Sequence, residues 1–276
     1  MFISDTIKTD IITVTPRLAK QLLEMNTRNR KISPTNLAKV SLQMQRDEWK
    51  LNGEAIKVAK DGRILDGQHR LQAAVDTDTT FPTLIVYGLE EDTQATMDTG
   101  KVRPLGTLLS LKGYKDGNTL AAIVTAIIRS EQWNINVAVA GGSHSYTVTN
   151  QQVFDRLEIE PSLTDLPSLV KRLARIGLPG KTAGLLYYKF SEINWEDTQD
   201  FFERLHTGAE LDRGHPILTL RNTLISLKDN AKGQANQRHV AALTIKAWNK
   251  YRDGEDIRQL KFRVGGANPE RFPEPH

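Results

Sequence analysis

Gly62-Arg63-Ile64-Leu65-Asp66-Gly67-Gln68-His69-Arg70-Leu71-Gln72-Ala73-Ala74 changes its pattern halfway along. A short apolar run ends at Asp66-Gly67, and Leu71, Ala74 and Val75 then recur at helical spacing, so a strand should pass into a helix through a corner at Gly67 to His69. Such a corner presents backbone N–H groups and the positive end of a helix dipole, which together favour an anion. Gly67 permits a positive φ or a close backbone approach. Gln68, His69 and Arg70 add polar side chains within the first turn, and the fork of Arg70 suits two phosphate oxygens. The alternative is structural: Asp66 caps the helix, and Gln68 to Arg70 form its solvated first turn.

Working outward, Asn52 to Ala59 alternates as a strand, Lys60-Asp61-Gly62 makes a tight turn, and Ile64 to Asp66 returns as a hairpin partner. Phe81 to Gly88 reads as another strand. Upstream, Ile11 to Thr15 reads as a first strand, and Pro16 opens a helix with Leu18, Leu22 and Met25 on one face. A polar basic loop follows at Asn26 to Lys31. Ser33-Pro34 then starts a second helix, with Leu37, Val40, Met44 and Trp49 on its buried side.

This arrangement resembles the ParB/sulfiredoxin superfamily, most closely a branch carrying an Asp-Gly-Gln-His-Arg box, over roughly residues 11–105. Partition proteins carry Gly-Glu-Arg-Arg at this corner, sulfiredoxin Gly-Cys-His-Arg, and a free-serine kinase Asp-Gly-His-His-Arg. The resemblance implies an α/β ParB-like domain whose corner, Gly67, Gln68, His69 and Arg70, binds the phosphates of a nucleoside triphosphate, ATP or CTP. It also implies that an arginine of the early loop, Arg28 or Arg30, reaches the nucleotide or its substrate. The stretch Met97 to Arg103 recurs in the branch. Asp98 there is a candidate to hold a metal ion or to pin Arg70, or is a turn residue, and Arg103 stands as a further supporting cation. Magnesium is expected only with the triphosphate. Sulfiredoxin's own thiol chemistry is excluded, because its thiol position is Gln68 here. A phage or mobile-element setting is a further implication.

From the residues themselves, Glu54 precedes the strand that leads into the hairpin, where a carboxylate can orient an attacking hydroxyl or water. Glu54, Asp66 and His69 are therefore the candidate catalytic groups. The chain has no cysteine, which rules out disulfides, thiolate metal sites and cysteine nucleophiles. No apolar run approaches the roughly 20 residues of a membrane span, and Met1 to Asp5 lacks a signal-peptide pattern. A cytoplasmic protein with no membrane partner is expected. The net charge is only +4, but residues 1–60 hold eleven Lys or Arg against six Asp or Glu. Glu90-Glu91-Asp92 reads as a helix start, where acids suit the dipole.

Beyond about residue 119 the pattern turns helical. Leu120, Ile123, Val124, Ile127 and Ile128 mark a buried helix, and residues 141–145 a flexible loop. Further helices are expected around 153–157, 166–173, 183–190, 195–205 and 217–227, with a loose helix-turn-helix reading of Leu163 to Leu178. His144, His206 and His215 are scattered, with no metal-ligand spacing. Residues 232–263 carry eight Lys or Arg against three acids. There Ala241 to Leu243, Ile245 and Trp248 form an apolar face, which leaves Arg238, Lys246, Lys250 and Arg252 either solvated or gripping nucleic acid. Leu260 to Val264 reads as a closing strand, followed by a loosely ordered polar tail.

The expected architecture is a ParB/sulfiredoxin-like nucleotide-binding domain at 1–110, a mostly helical domain at 111–264 and a tail at 265–276. The expected function is nucleotide binding with phosphoryl chemistry, as a hydrolase or kinase-like transferase. The alternative is a DNA-binding regulator or partition-like adaptor that uses nucleotide as a switch or not at all. Nucleotide, DNA and a second copy in a homodimer are the partners considered. A nuclease ranks lower, because no acidic metal cluster stands out in the sequence.

Overall fold

The computed structural model describes residues 2–27, 29, 31–97, 103–140, 146–230, 237–263 and 269–276. It is mixed α/β and mostly helical, with one four-stranded sheet among the described residues. The chain divides into two compact units, Met1–Val102 with Gly142–Gln151, and Arg103–Gly141 with Gln152–His276.

In the first unit the order is β1 (Lys8–Val14), α1 (Pro16–Glu24), α2 (Pro34–Gln45), β2 (Ala55–Ala59), β3 (Ile64–Asp66), α3 (Gln68–Thr77) and β4 (Phe81–Leu89). β1 starts earlier than its apolar run because Lys8, Thr9 and Asp10 also pair with β4. Pro16 and Pro34 each sit at a helix start, and Thr15 and Ser33 cap those helices by accepting from the N–H groups of Leu18 and Asn36.

The sheet order is β1-β4-β2-β3, with β4 parallel to β2 and antiparallel to β1. Alternation decides which face is covered. Val14, Ile56, Val58, Ile64, Phe81 and Ile85 share one core with Leu22, Met44, Leu71 and Ala74 of the helices. Ile11 remains 63% exposed. Around Lys57 both ladders shift register: Lys57 pairs with Asp66, but Val58 pairs with Ile64, so Leu65 bulges immediately before the box. Glu91–Thr96, expected as an ordinary helix, is a short 3-10 helix instead.

The second unit contains α4 (Leu105–Leu111), α5 (Gly117–Gln132), α6 (Ile135–Ala140), all but the first two residues of α7 (Asn150–Ile159), α8 (Leu166–Ala174), α9 (Gly180–Ser191), α10 (Trp195–Thr207), α11 (Pro216–Asn230) and α12 (Gln237–Arg252). Asn194 caps α10, and Gly208 ends it with φ +74°. Phe190, Phe201, Phe202 and Trp248 form an aromatic centre in which Phe190 stacks on Trp248 at 4.3 Å. No helix among the described residues is long and apolar enough to cross a membrane.

Two expectations need correction here. Residues 260–263 form no strand: Leu260 and Phe262 are buried, but the segment has no regular secondary structure, with Phe262 against His239 and the Lys261 carbonyl accepting from Lys246. The described part of the tail is docked rather than loose. The Trp248 indole N–H donates to the His276 carbonyl at 3.1 Å, and Asn249 donates to the Glu274 carbonyl at 2.9 Å.

Candidate functional site

The box forms the expected corner, with Gly67 at φ +106° in the N-cap position of α3 and no side chain capping the helix. The structural alternative for Asp66 as N-cap is therefore corrected by one residue. A Cβ on Gly67 would lie 3.0 Å from the Ile56 side chain, so both the left-handed φ and the packing demand glycine. Asp66 lies just outside the helix and is committed on both oxygens. Oδ1 accepts from the Gly67 N–H at 2.7 Å, while Oδ2 lies 3.3 Å from Lys57 Nζ and 3.6 Å from Arg70 Nη2.

Arg70 is 9% exposed and turns inward. Nη1 donates to the Glu54 carbonyl at 2.9 Å and Nη2 to the Ala55 carbonyl at 2.7 Å. The planar fork thus braces the start of β2 against α3, a use of arginine that the phosphate-clamp reading did not include. Gln68, also buried, accepts from the Asn26 amide at 3.1 Å.

The early basic loop is stitched onto this corner. Besides Asn26 on Gln68, Asn29 donates to the Ile64 carbonyl at 3.4 Å, and the Ser33 N–H donates to His69 Nε2 at 3.0 Å. An accepting Nε2 places the imidazole proton on Nδ1. Because Ser33 caps α2 and His69 stands in the first turn of α3, this bond brings the two helix N-termini side by side. Lys31 is exposed in this loop, while Arg28 and Arg30 lie outside the described residues.

Glu54 contributes its backbone carbonyl to Arg70 and Thr83, and its side chain is exposed. Lys57 is the residue that sequence reading missed. It is the one charged residue within the strand Ala55-Ile56-Lys57-Val58-Ala59, and that interruption of an apolar run was the available signal. Glu91 and Asp92 stand in the first turn of the 3-10 helix as expected, and the acids at 90–91 also form ion pairs. Glu90 pairs with Lys60 and holds that ammonium above its ordinary lysine value, and Glu91 accepts from buried Arg63 at 2.9 Å. Together they fasten the β2–β3 hairpin.

Other candidates fall elsewhere. Asp98 lies outside the described residues, and Arg103 is an exposed residue of the second unit. The four cations of α12 are brought onto one helix, but each is engaged within the unit. Arg238 donates to Asn136 at 2.7 Å, Lys246 pairs with Glu270, Lys250 pairs with Glu255, and Arg252 lies 3.4 Å from Asp197. Moreover, α12 is buried continuously from Val240 to Ile245, which an exposed nucleic-acid helix would not be. His144 lies outside the described residues. His206 and His215 belong to the second unit, where burial pushes His215 below its usual value. Among the described residues no three His, Asp or Glu side chains gather closely enough to hold a metal ion.

No family model, curated protein or solved structure matches this chain.

Proposed function

We propose that the first unit binds the phosphates of a nucleoside triphosphate, ATP or CTP, and supports phosphoryl chemistry as a hydrolase or kinase-like transferase. The observation that carries this reading is the Ser33–His69 hydrogen bond. It sets the N-termini of α2 and α3 together, so two dipoles favour an anion at the corner, and the exposed Lys31 of the adjoining loop adds positive charge. The ParB-like resemblance of the box agrees with this assignment.

The residue roles shift from those first expected. Gly67 to His69 form the phosphate corner, and Arg70 with Asp66 keeps its shape from behind. Lys31, Arg28 and Arg30 are the cations available to reach the nucleotide. The exposed Glu54 carboxylate is the candidate for orienting an attacking hydroxyl or water, because Asp66 is already held by Lys57 and the Gly67 N–H. Magnesium would arrive on the triphosphate. Catalysis of this kind rests on positioning and charge neutralisation.

The test is thermal shift with ATP, CTP, GTP and ADP, with and without magnesium. A ligand at 100 times its Kd stabilises the folded state by about 2.7 kcal/mol. The expected result is a rise in Tm with a triphosphate that is lost when Arg28, Arg30 and Lys31 are all changed to Ala. Absence of a shift with every nucleotide overturns the reading. Binding without phosphate or ADP release, with acceptors supplied, moves the assignment to the regulator.

A further inference from the structure

The second unit carries an open groove lined wholly by its own residues. Two basins of about 600 and 440 Å³ share Leu169, Arg172 and Tyr187, so they form one run along α8, α9 and α10. Leu166, Leu169, Tyr187 and Trp195 provide the apolar surface. Trp195 is 54% exposed although it is firmly placed, since the cap at Asn194 accepts from Asp197 N–H at 2.9 Å and the indole meets Tyr187 edge-on at 6.0 Å. Ile193, between the lining residues Glu192 and Trp195, is 39% exposed. A bare, rigidly held tryptophan beside tyrosine is the composition that anchors protein–protein contacts.

The charge on this groove selects the partner. Glu160, Asp165 and Glu192 border the first basin and Asp200 and Glu203 the second, while Arg172 and the imidazole of His206 are the basic groups among the described lining residues. Glu160, Glu192 and Asp200 already pair with Arg156, Lys189 and Arg204. Asp165 and Glu203 have no ion pair among the described residues. On a chain of net charge +4 this is a locally acidic surface, which repels phosphate and attracts Lys or Arg. Two basins in line also suit successive anchors on one face of a helix.

We propose that this groove docks a basic amphipathic helix of a partner protein. Its apolar side chains lie on Leu166, Leu169, Tyr187 and Trp195, and its basic residues meet Asp165 and Glu203. The probe is a fluorescein-labelled amphipathic peptide of Leu and Lys, about five helical turns long. Its control has Glu in place of every Lys, and both are titrated with the full chain by fluorescence anisotropy. The Lys peptide should bind at least about tenfold more tightly than the Glu peptide. Trp195→Ala and Leu169→Asp should each weaken it by about tenfold, the scale of an interface anchor. The exposed pair Asp165→Asn with Glu203→Gln should reduce the salt dependence without unfolding the chain, which a melting curve checks. Equal affinity for the two peptides overturns the proposal, as does wild-type affinity in the folded Asp165→Asn, Glu203→Gln and Trp195→Ala variants. A dimer in sedimentation velocity that Trp195→Ala abolishes would assign the groove to a second copy and overturn it too.

Discussion

The guanidinium of Arg70 sits behind the box and holds the Glu54 and Ala55 carbonyls at 2.9 and 2.7 Å, so its removal should first be felt as instability. Arg70→Ala removes the brace between α3 and the start of β2, taking away two charge-assisted bonds to backbone carbonyls, and should lower the unfolding free energy by about 2–4 kcal/mol, measured by urea denaturation. Arg70→Lys should recover only part, because an ammonium cannot hold two carbonyls in a fork. At Gly67, a substitution to Ala meets both φ +106° and Ile56 at 3.0 Å, and should cost roughly 1–3 kcal/mol in the same assay. Glu54→Gln is the contrasting case. With its side chain exposed, the variant should keep its melting temperature and nucleotide affinity while phosphate release collapses. The polar identity of these residues was readable in the chain. Their direction was not, because only the packed β2–α3 junction turns Arg70 inward and leaves Glu54 outside.

Among the elements, α12 buries the apolar face read from its sequence, Ala241 to Leu243, Ile245 and Trp248. Val240 and Thr244 join that face, so burial runs unbroken from Val240 to Ile245, and the tail docks on Trp248 and Asn249. Deleting residues 269–276 should therefore destabilise the second unit by roughly 2–4 kcal/mol, since the Trp248 indole N–H loses its partner and Phe272 leaves Phe262. A polar, Pro-rich composition signals a loose end only when no partner surface awaits it. The same unit should lose stability in alkali. Burial raises Tyr187, raises Tyr188 to about 12, and with the hydrogen bond to Asp200 raises Tyr251. Unfolded tyrosines ionise near their ordinary value of 10.0 while the folded ones stay protonated. The unfolded state then binds fewer protons, so this stabilisation is complete below about pH 10 and falls as pH rises toward and beyond 12. Tyr251→Phe should flatten that decline in melting curves taken across the range.

For the whole molecule, the net charge of +4 is a poor guide to partners, because charge is distributed by pairing. With Lys246, Lys250 and Arg252 each beside a carboxylate, changing all three to Gln should alter the salt slope of any DNA binding by less than about one unit. Three independent phosphate contacts would remove roughly 2.7 units, and a change of that size would restore the nucleic-acid reading of α12. The sequence by itself determined the local grammar: the hairpin, the corner at Gly67, the proline-started helices and the helical character of the second half. Each of these follows from short-range rules of φ preference, capping and periodicity, which act over a few residues and need no distant partner. Only the tertiary structure decided that Asn26 and Ser33 meet the box and Asn29 the Ile64 carbonyl, that Glu90 and Glu91 fasten the hairpin, and that the tail closes over Trp248. Those contacts join residues far apart in sequence, and which donor meets which acceptor is settled by packing geometry, to which composition and spacing are blind.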